Sequence, residues 1–315
     1  MDEEDNEDER AKWTKERQKV LDEWSEIELK GADALKLDIT EQPDPAQMGT
    51  IQPEMILEDL YPRLVGIQSA DVENDKLDAS TVIRDATPVS TFDRILQICL
   101  CRPSKITLPP MIYTHKTLLI KLADIQYDND NYFHWLMLND YFKSVAHLAL
   151  DTPDVPCPRS GPHWQIVGFQ GNNPATDFRG CGILALLQLH SFTQKLPSSI
   201  LKAVVQLSRK EPNDFPLAVV SINITSLILT NLKKDKLDEI GTPEEGIYPT
   251  IAAIHAGCIA YFCTCYSFHN LTIGVSNQLL AEINSILEKS PKMFLAYLDP
   301  NKQEVKTLCD AQNTQ

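Results

Sequence analysis

An all-α body is predicted from three observations in the sequence. From about residue 111 onward apolar residues recur at helical spacing. The runs are bounded by Pro, Gly or Asp/Asn clusters, which stop helices. Alternating apolar and polar segments paired across a turn, the mark of strands, are scarce.

Taken in order, the periodicity predicts helices over 113–124, 130–149, 181–195, 197–211, 216–235, 246–269 and 275–289. The Val- and Ile-rich run 217–229 could serve as a buried strand, but it is long and has no partner run, so helix is preferred. Two stretches, 217–232 and 251–268, are apolar enough to suggest membrane spans. The first is short and carries Ser, Asn and Thr; the second holds His255 and several cysteines and has no basic flank, so both are read as buried core helices.

Upstream the composition changes. Residues 1–80 hold 23 Asp/Glu against 9 Lys/Arg, whereas 81–315 hold 21 against 20, so the net charge of −15 resides almost wholly in the N-terminal part. A near-neutral body behind an acidic arm lacks the basic footprint of a nucleic-acid binder, and that class is excluded. Within the arm, Trp13, Val20, Leu21, Trp24 and Ile27 sit at helical spacing over 10–30, an amphipathic helix able to dock on its own body or on a partner. Pro43, Pro45 and Pro53 mark a linker, and a second acidic stretch covers 69–80. The expected organisation is an acidic arm and linker over 1–80, a lead-in over 81–110, a helical domain over 111–300 and a tail over 301–315.

The acidic start MDEEDNEDER is unlike a secretory signal, and the expected compartment is the cytoplasm. Eight cysteines form two C-x-C pairs and no C-x-x-C, which matches neither a zinc site nor a disulfide framework, so reduced thiols are expected and no metal or cofactor. No phosphate loop, nucleophile elbow or H-E-x-x-H is present, so the chain carries no machinery for nucleotide binding or hydrolysis of its own. His134 and His255 are read as satisfied core histidines.

The informative stretch is WQIVGFQGNNPATDFRGCG, residues 164–182. Four of the chain's 12 glycines, Gly168, Gly171, Gly180 and Gly182, fall in it, beside the turn formers Asn172, Asn173 and Pro174. A shaped loop leading into a helix follows, with Thr176 or Asp177 as the expected cap and Arg179 near the helix start. That position is unfavourable for a cation by roughly 0.3–1 kcal/mol. Two explanations stand: an internal ion pair with Asp177, or a cation meant for a partner, which Gly180 and Gly182 would let approach closely. Arg159 and Arg209, the other arginines of 110–315, lie in a Pro-rich segment and late in a helix. Trp164, Phe169 and Phe178 are read as packing anchors, and Gln170 as a brace or a contact.

Trp164, Gly168, Phe169, Gln170, Gly171, Pro174, Thr176, Asp177, Phe178, Arg179, Gly180, Gly182 and Leu184 closely resemble the signature of the ELMO domain family, W-x-x-I-G-F-Q-G-x-x-P-x-T-D-F-R-G-x-G-x-L. DFPLAVVSINIT at 214–225 resembles the family's second characteristic stretch, and the resemblance covers about 110–300. Asn173, Val167 and Ala185 depart from the family's Asp, Ile and Gly. The resemblance implies a helical domain that, in the short ELMO domain-containing proteins, acts as a GTPase-activating protein for Arf and Arf-like GTPases, with the arginine of D-F-R-G, here Arg179, as the catalytic finger. Nucleotide and Mg²⁺ would then arrive with the GTP-bound partner. It also leaves open a non-catalytic adaptor that binds a small GTPase or a ciliary, actin or microtubule complex through the arm, with a location at the cilium or cytoskeleton.

Overall fold

The computed structural model describes residues 57–66, 108–151 and 156–313, together with Lys15 and Lys19. The amphipathic helix expected over 10–30, the linker, the acidic stretch over 69–80 and nearly all of the 81–110 lead-in lie outside the described residues, as do Cys99 and Cys101. Among the described residues the protein is all-α, with one isolated bridge between Thr242 and Gly246 and no strand.

Each helix read from the sequence is present: α2 (Pro110–Asp124), α3 (Tyr132–Leu150), α5 (Gly182–Lys195), α6 (Ser198–Ser208), α7 (Leu217–Lys233), α8 (Tyr248–Phe268) and α9 (Ser276–Lys289). Six further elements among the described residues were not anticipated. They are α1 (Leu57–Val65), the single turn α4 (His163–Ile166), 3-10 helices over Pro174–Phe178, Ile273–Val275 and Pro291–Leu298, and α10 (Gln303–Asn313).

Two helices make the centre. In α5 all but two positions are buried, and α2, α3, α7 and α8 pack around it. An apolar surface on every side, rather than a stripe, is what a fully surrounded helix requires. The same holds for α8, which is long and apolar enough to cross a membrane by length and composition but has 78% of its apolar window buried inside the fold. Its outer neighbours are α6, α7, α10 and the Pro291–Leu298 turn, where Tyr261 meets Phe294 and Tyr297 edge-on with ring centroids 5.4 and 5.0 Å apart.

Helix α1 falls in the span assigned to the acidic arm, yet Leu57, Leu60 and Leu64 are buried against α2 and α3. Polar side chains of the body grip its end. Asn131 Nδ2 donates to the Arg63 carbonyl (3.1 Å) and His134 Nε2 to the Leu64 carbonyl (2.7 Å), which satisfies two acceptors that any helix C-terminus leaves open. Asn131 also caps α3, its side chain accepting from the Phe133 and His134 amides. Because His134 Nδ1 accepts from Asp128 N (3.0 Å), the ring is the neutral Nε2–H tautomer. In the span assigned to the tail, Val305 and Leu308 of α10 are buried.

The six described cysteines are free thiols, three of them buried. At the core, His255 Nε2 donates to the Ser221 carbonyl (3.1 Å) while Nδ1 is buried without a partner. Protonating Nδ1 would place a charged donor where nothing accepts, and burial accordingly lowers the His255 pKa to about 4. A folded-state value below the ordinary 6.5 means that the unfolded chain takes up protons first as pH falls. Stability from this group is therefore complete above about pH 6.5 and is lost progressively down to about pH 4, by roughly 3 kcal/mol in all. His134, also lowered by burial, acts in the same direction. Denaturant titrations from pH 7 to 4 should show this fall, and His255→Gln, which keeps a donor for Ser221 but cannot titrate, should flatten it; an unchanged slope would refute the assignment.

Candidate functional site

The signature stretch is pinned to the body at two points where the backbone comes too close for any side chain. Gly168 has φ +90°, and a Cβ there would overlap the backbone nitrogens of Leu217 and Ala218 at the start of α7. Its carbonyl accepts from Val219 N (3.2 Å). Gly182 has φ +50°, and its Cβ would run into the carbonyls of Ala123 and Ile125 at the end of α2. Next to it Ile183 N donates to the Ile125 carbonyl (2.9 Å), so α5 starts on a backbone acceptor from another element.

Between the two pins lies an aromatic base. Trp164 is fully buried, edge-on to Phe142 and Phe169 (4.9 and 5.4 Å). Phe169 meets Phe178 edge-on, and Phe178 stacks on Tyr127, both at 5.8 Å. Such pairs contribute about 0.5–1.5 kcal/mol beyond burial. Tyr141 Oη donates to the Val167 carbonyl (2.6 Å), and Arg209 Nη1 reaches back to the Ile166 carbonyl (3.0 Å). Sequence reasoning missed both braces, because nothing in local spacing pairs residue 141 or 209 with this loop.

On this base sits a 3-10 turn, Pro174–Phe178, capped by Asn173, whose side chain accepts from Ala175 N (3.1 Å). The cap expected from Thr176 or Asp177 on α5 is not made; Cys181 stands at that N-cap without a side-chain bond. Asp177 is buried and turns inward instead, Oδ2 accepting from Gln170 N (2.9 Å) and Oδ1 from Thr176 Oγ1 (3.1 Å). Burial pushes its carboxyl above the usual range, while the bonds from Gln170 and Thr176 and the charge of Arg179 pull it back.

Arg179 is the C-cap of this turn, not a residue of the α5 N-terminus. The sequence pattern merged two elements into one. At a C-terminal end the free groups are carbonyls, which favour a cation, so the expected conflict disappears. Its Nε donates to the Thr176 carbonyl (2.6 Å), the side chain is exposed, and both Nη groups have no acceptor among the described residues. It makes no ion pair with Asp177, whose oxygens are already engaged. The other two arginines are occupied: Arg159 lies 3.8 Å over the Trp135 ring, and Arg209 holds Ile166.

Around Arg179 the glycines divide. Gly182 is buried and shapes the loop, whereas Gly180 is exposed and a Cβ there would meet nothing within 4 Å. The side chain of Gln170 is half-buried beside them. A cleft nearby, between Gln165–Gly168 and Ser208–Pro216, encloses about 80 Å³. Small-molecule sites take roughly 300–1,000 Å³, so this cleft cannot hold a nucleotide.

Comparison with known proteins places this site in context. Residues 117–272 match the model of the ELMO/CED-12 family. The chain is similar to ELMO domain-containing protein 3 of Mus musculus, 28% identical over 205 residues that make up 65% of this chain and 52% of that protein. It is similar to ELMO domain-containing protein 3 of Bos taurus at 24% identity, covering 77% and 66%. ELMO domain-containing protein 2 of Homo sapiens is 32% identical over 47% of this chain and 46% of its own length. The chain thus spans about half to two thirds of these relatives. No solved structure matches it.

The glycine division predicts opposite outcomes for one added methyl group. Gly182→Ala meets backbone carbonyls at a positive φ and should destabilise by more than about 2 kcal/mol. Gly180→Ala should leave stability unchanged or raise it by up to about 1 kcal/mol. Thermal unfolding of both variants checks this, and equal losses would show that Gly180 too is held by the fold.

Proposed function

Because residues 117–272 form a domain of the ELMO/CED-12 family, we propose that the protein is a GTPase-activating protein for an Arf or Arf-like small GTPase, with Arg179 as the arginine finger supplied in trans. The observation that carries this reading is the state of Arg179. It is exposed at the end of the 3-10 turn, held by Nε, and both Nη groups have no acceptor among the described residues.

That is what the chemistry asks of a donated cation. During GTP hydrolysis water attacks the γ-phosphorus, the bond to the β–γ bridging oxygen breaks, and negative charge gathers on the leaving GDP and the transferring group. A guanidinium placed there neutralises that charge without giving up its proton. Such fingers accelerate hydrolysis by roughly 10³–10⁵. The nucleotide, Mg²⁺ and attacking water belong to the partner. Bare backbone at Gly180 gives the partner's surface clearance next to the finger.

Lysine should not substitute, since an ammonium lacks the planar fork that spans two phosphate oxygens. In single-turnover assays against a panel of GTP-loaded Arf and Arf-like proteins, Arg179→Ala and Arg179→Lys should each lower stimulated hydrolysis by at least about 10³. Their melting temperatures should match wild type, because Arg179 is exposed and holds one turn carbonyl. Stimulation that survives both substitutions removes the finger. Tight binding of a GTPase without any stimulation would make the chain an adaptor.

A further inference from the structure

We propose that Asp177 is a positioning residue for Arg179: its buried carboxylate locks the 3-10 turn in the shape that offers the Thr176 carbonyl to Arg179 Nε and so aims the guanidinium outward. This rests on Arg179 being the finger, and it names the part of the chain that sets the finger's geometry.

The connection runs through the bonds of Asp177 and Arg179 and the one proton of the Thr176 hydroxyl, shared between two acceptors. Asp177 Oδ2 holds Gln170 N (2.9 Å), a staple across seven residues that closes the loop containing Gly171 and Asn172. Its Oδ1 takes the hydroxyl of Thr176 (3.1 Å), which also lies 2.8 Å from the Asn173 carbonyl. Thr176 is thereby gripped from two sides, and its peptide plane has little freedom. The carbonyl of that residue is the group that accepts from Arg179 Nε at 2.6 Å. Held at Nε, the guanidinium is anchored through one nitrogen on an exposed side chain, and its two Nη groups have no acceptor among the described residues.

Stability alone does not account for a carboxylate here. Asp177 is 4% exposed, beside the aromatic base, where charge is costly and an apolar side chain of the same shape often serves as well. What an apolar residue cannot supply is polar partners for Gln170 and Thr176. An asparagine can supply both in another way: with its carbonyl accepting from Gln170 N and its amide donating to Thr176 Oγ1, the threonine proton goes to the Asn173 carbonyl and every group is satisfied.

The test compares Asp177→Leu, which keeps the branched shape without acceptors, with Asp177→Asn. A finger displaced by about 1 Å costs roughly 10² in rate. Asp177→Leu should therefore lower the maximal stimulated rate about that much while KM for the GTP-loaded GTPase stays within roughly threefold, since the docking surface is untouched. Asp177→Asn should recover the rate to within about tenfold of wild type, an effect a merely apolar packing role would not produce. Independently of activity, the ¹Hε–¹⁵Nε resonance of Arg179 should be protected from solvent exchange in wild type and Asp177→Asn and lose that protection in Asp177→Leu. Should Asp177→Leu fail to fold, Thr176→Val removes the gripped hydroxyl but keeps the carbonyl, and should lower the maximal rate at constant KM. A wild-type rate in the folded Leu variant, no recovery in the Asn variant, or a rise in KM that accounts for the loss overturns the proposal. Arg179→Ala in the same assay separates the two readings: if it retains stimulation the finger itself is wrong, whereas if it abolishes stimulation and Asp177→Leu does not, only the positioning role is wrong.

Discussion

The arginine turn can occupy only one place because the chain on either side of it is pressed against foreign backbone. Gly168 lies on the start of α7 and Gly182 on the end of α2, each so close that a methyl group would overlap. Two pins fourteen residues apart would still leave a slack loop if nothing filled the space beneath. Trp164, Phe169 and Phe178 fill it, joined edge-on to one another and to Phe142, with Tyr127 stacked on Phe178. A turn built on such a base inherits the rigidity of the core, which matters because an exposed arginine on a mobile loop would lose much of its rotamer freedom, worth about 2 kcal/mol, each time it was used.

The fold was legible where periodicity is a local property. α5 and α8 are apolar on every side, and their bounds came within one or two residues of the sequence reading, because length and punctuation by Gly and Pro suffice for buried helices. α1 was not seen. Its three leucines at 57, 60 and 64 were masked by Glu58, Asp59 and an acidic surrounding, and charge averaged over a long segment hides a short stripe. What holds α1 in place, the side chains of Asn131 and His134 on its last carbonyls, joins residues almost seventy apart and leaves no trace in local pattern. α10 has the same character: two buried apolar side chains, Val305 and Leu308, on a mostly polar helix are too thin a stripe to separate from a tail.

At the site the sequence showed which residues matter better than it showed what they do. The density of glycine, the turn formers and the lone arginine were visible, but the pattern ran the 3-10 turn and α5 together, so Arg179 was placed at the positive end of a helix. In the structure it sits on the carbonyl end of the turn before it. Asp177 went astray for the same reason. An Asp two to five residues before an apolar run reads as a cap, and only the fold reveals that its oxygens face Gln170 and Thr176. The glycines shared one letter and four environments, two of them crowded and two open.

The division between what this chain holds and what it lacks then becomes coherent. Burial lowers the pKa of His134 and His255, Cys181, Cys258 and Cys263 are buried in the core, and the cleft beside the signature loop is smaller than a nucleotide requires. On the proposed function an exposed cation, Arg179, acts on charge that a partner brings to it, and the geometry of that meeting is what this site would contribute. On that proposal the two backbone pins, the aromatic base and the buried carboxylate around one short turn acquire a physical reason: electrostatic stabilisation of a transition state is strong only when the donor is already in place before charge develops.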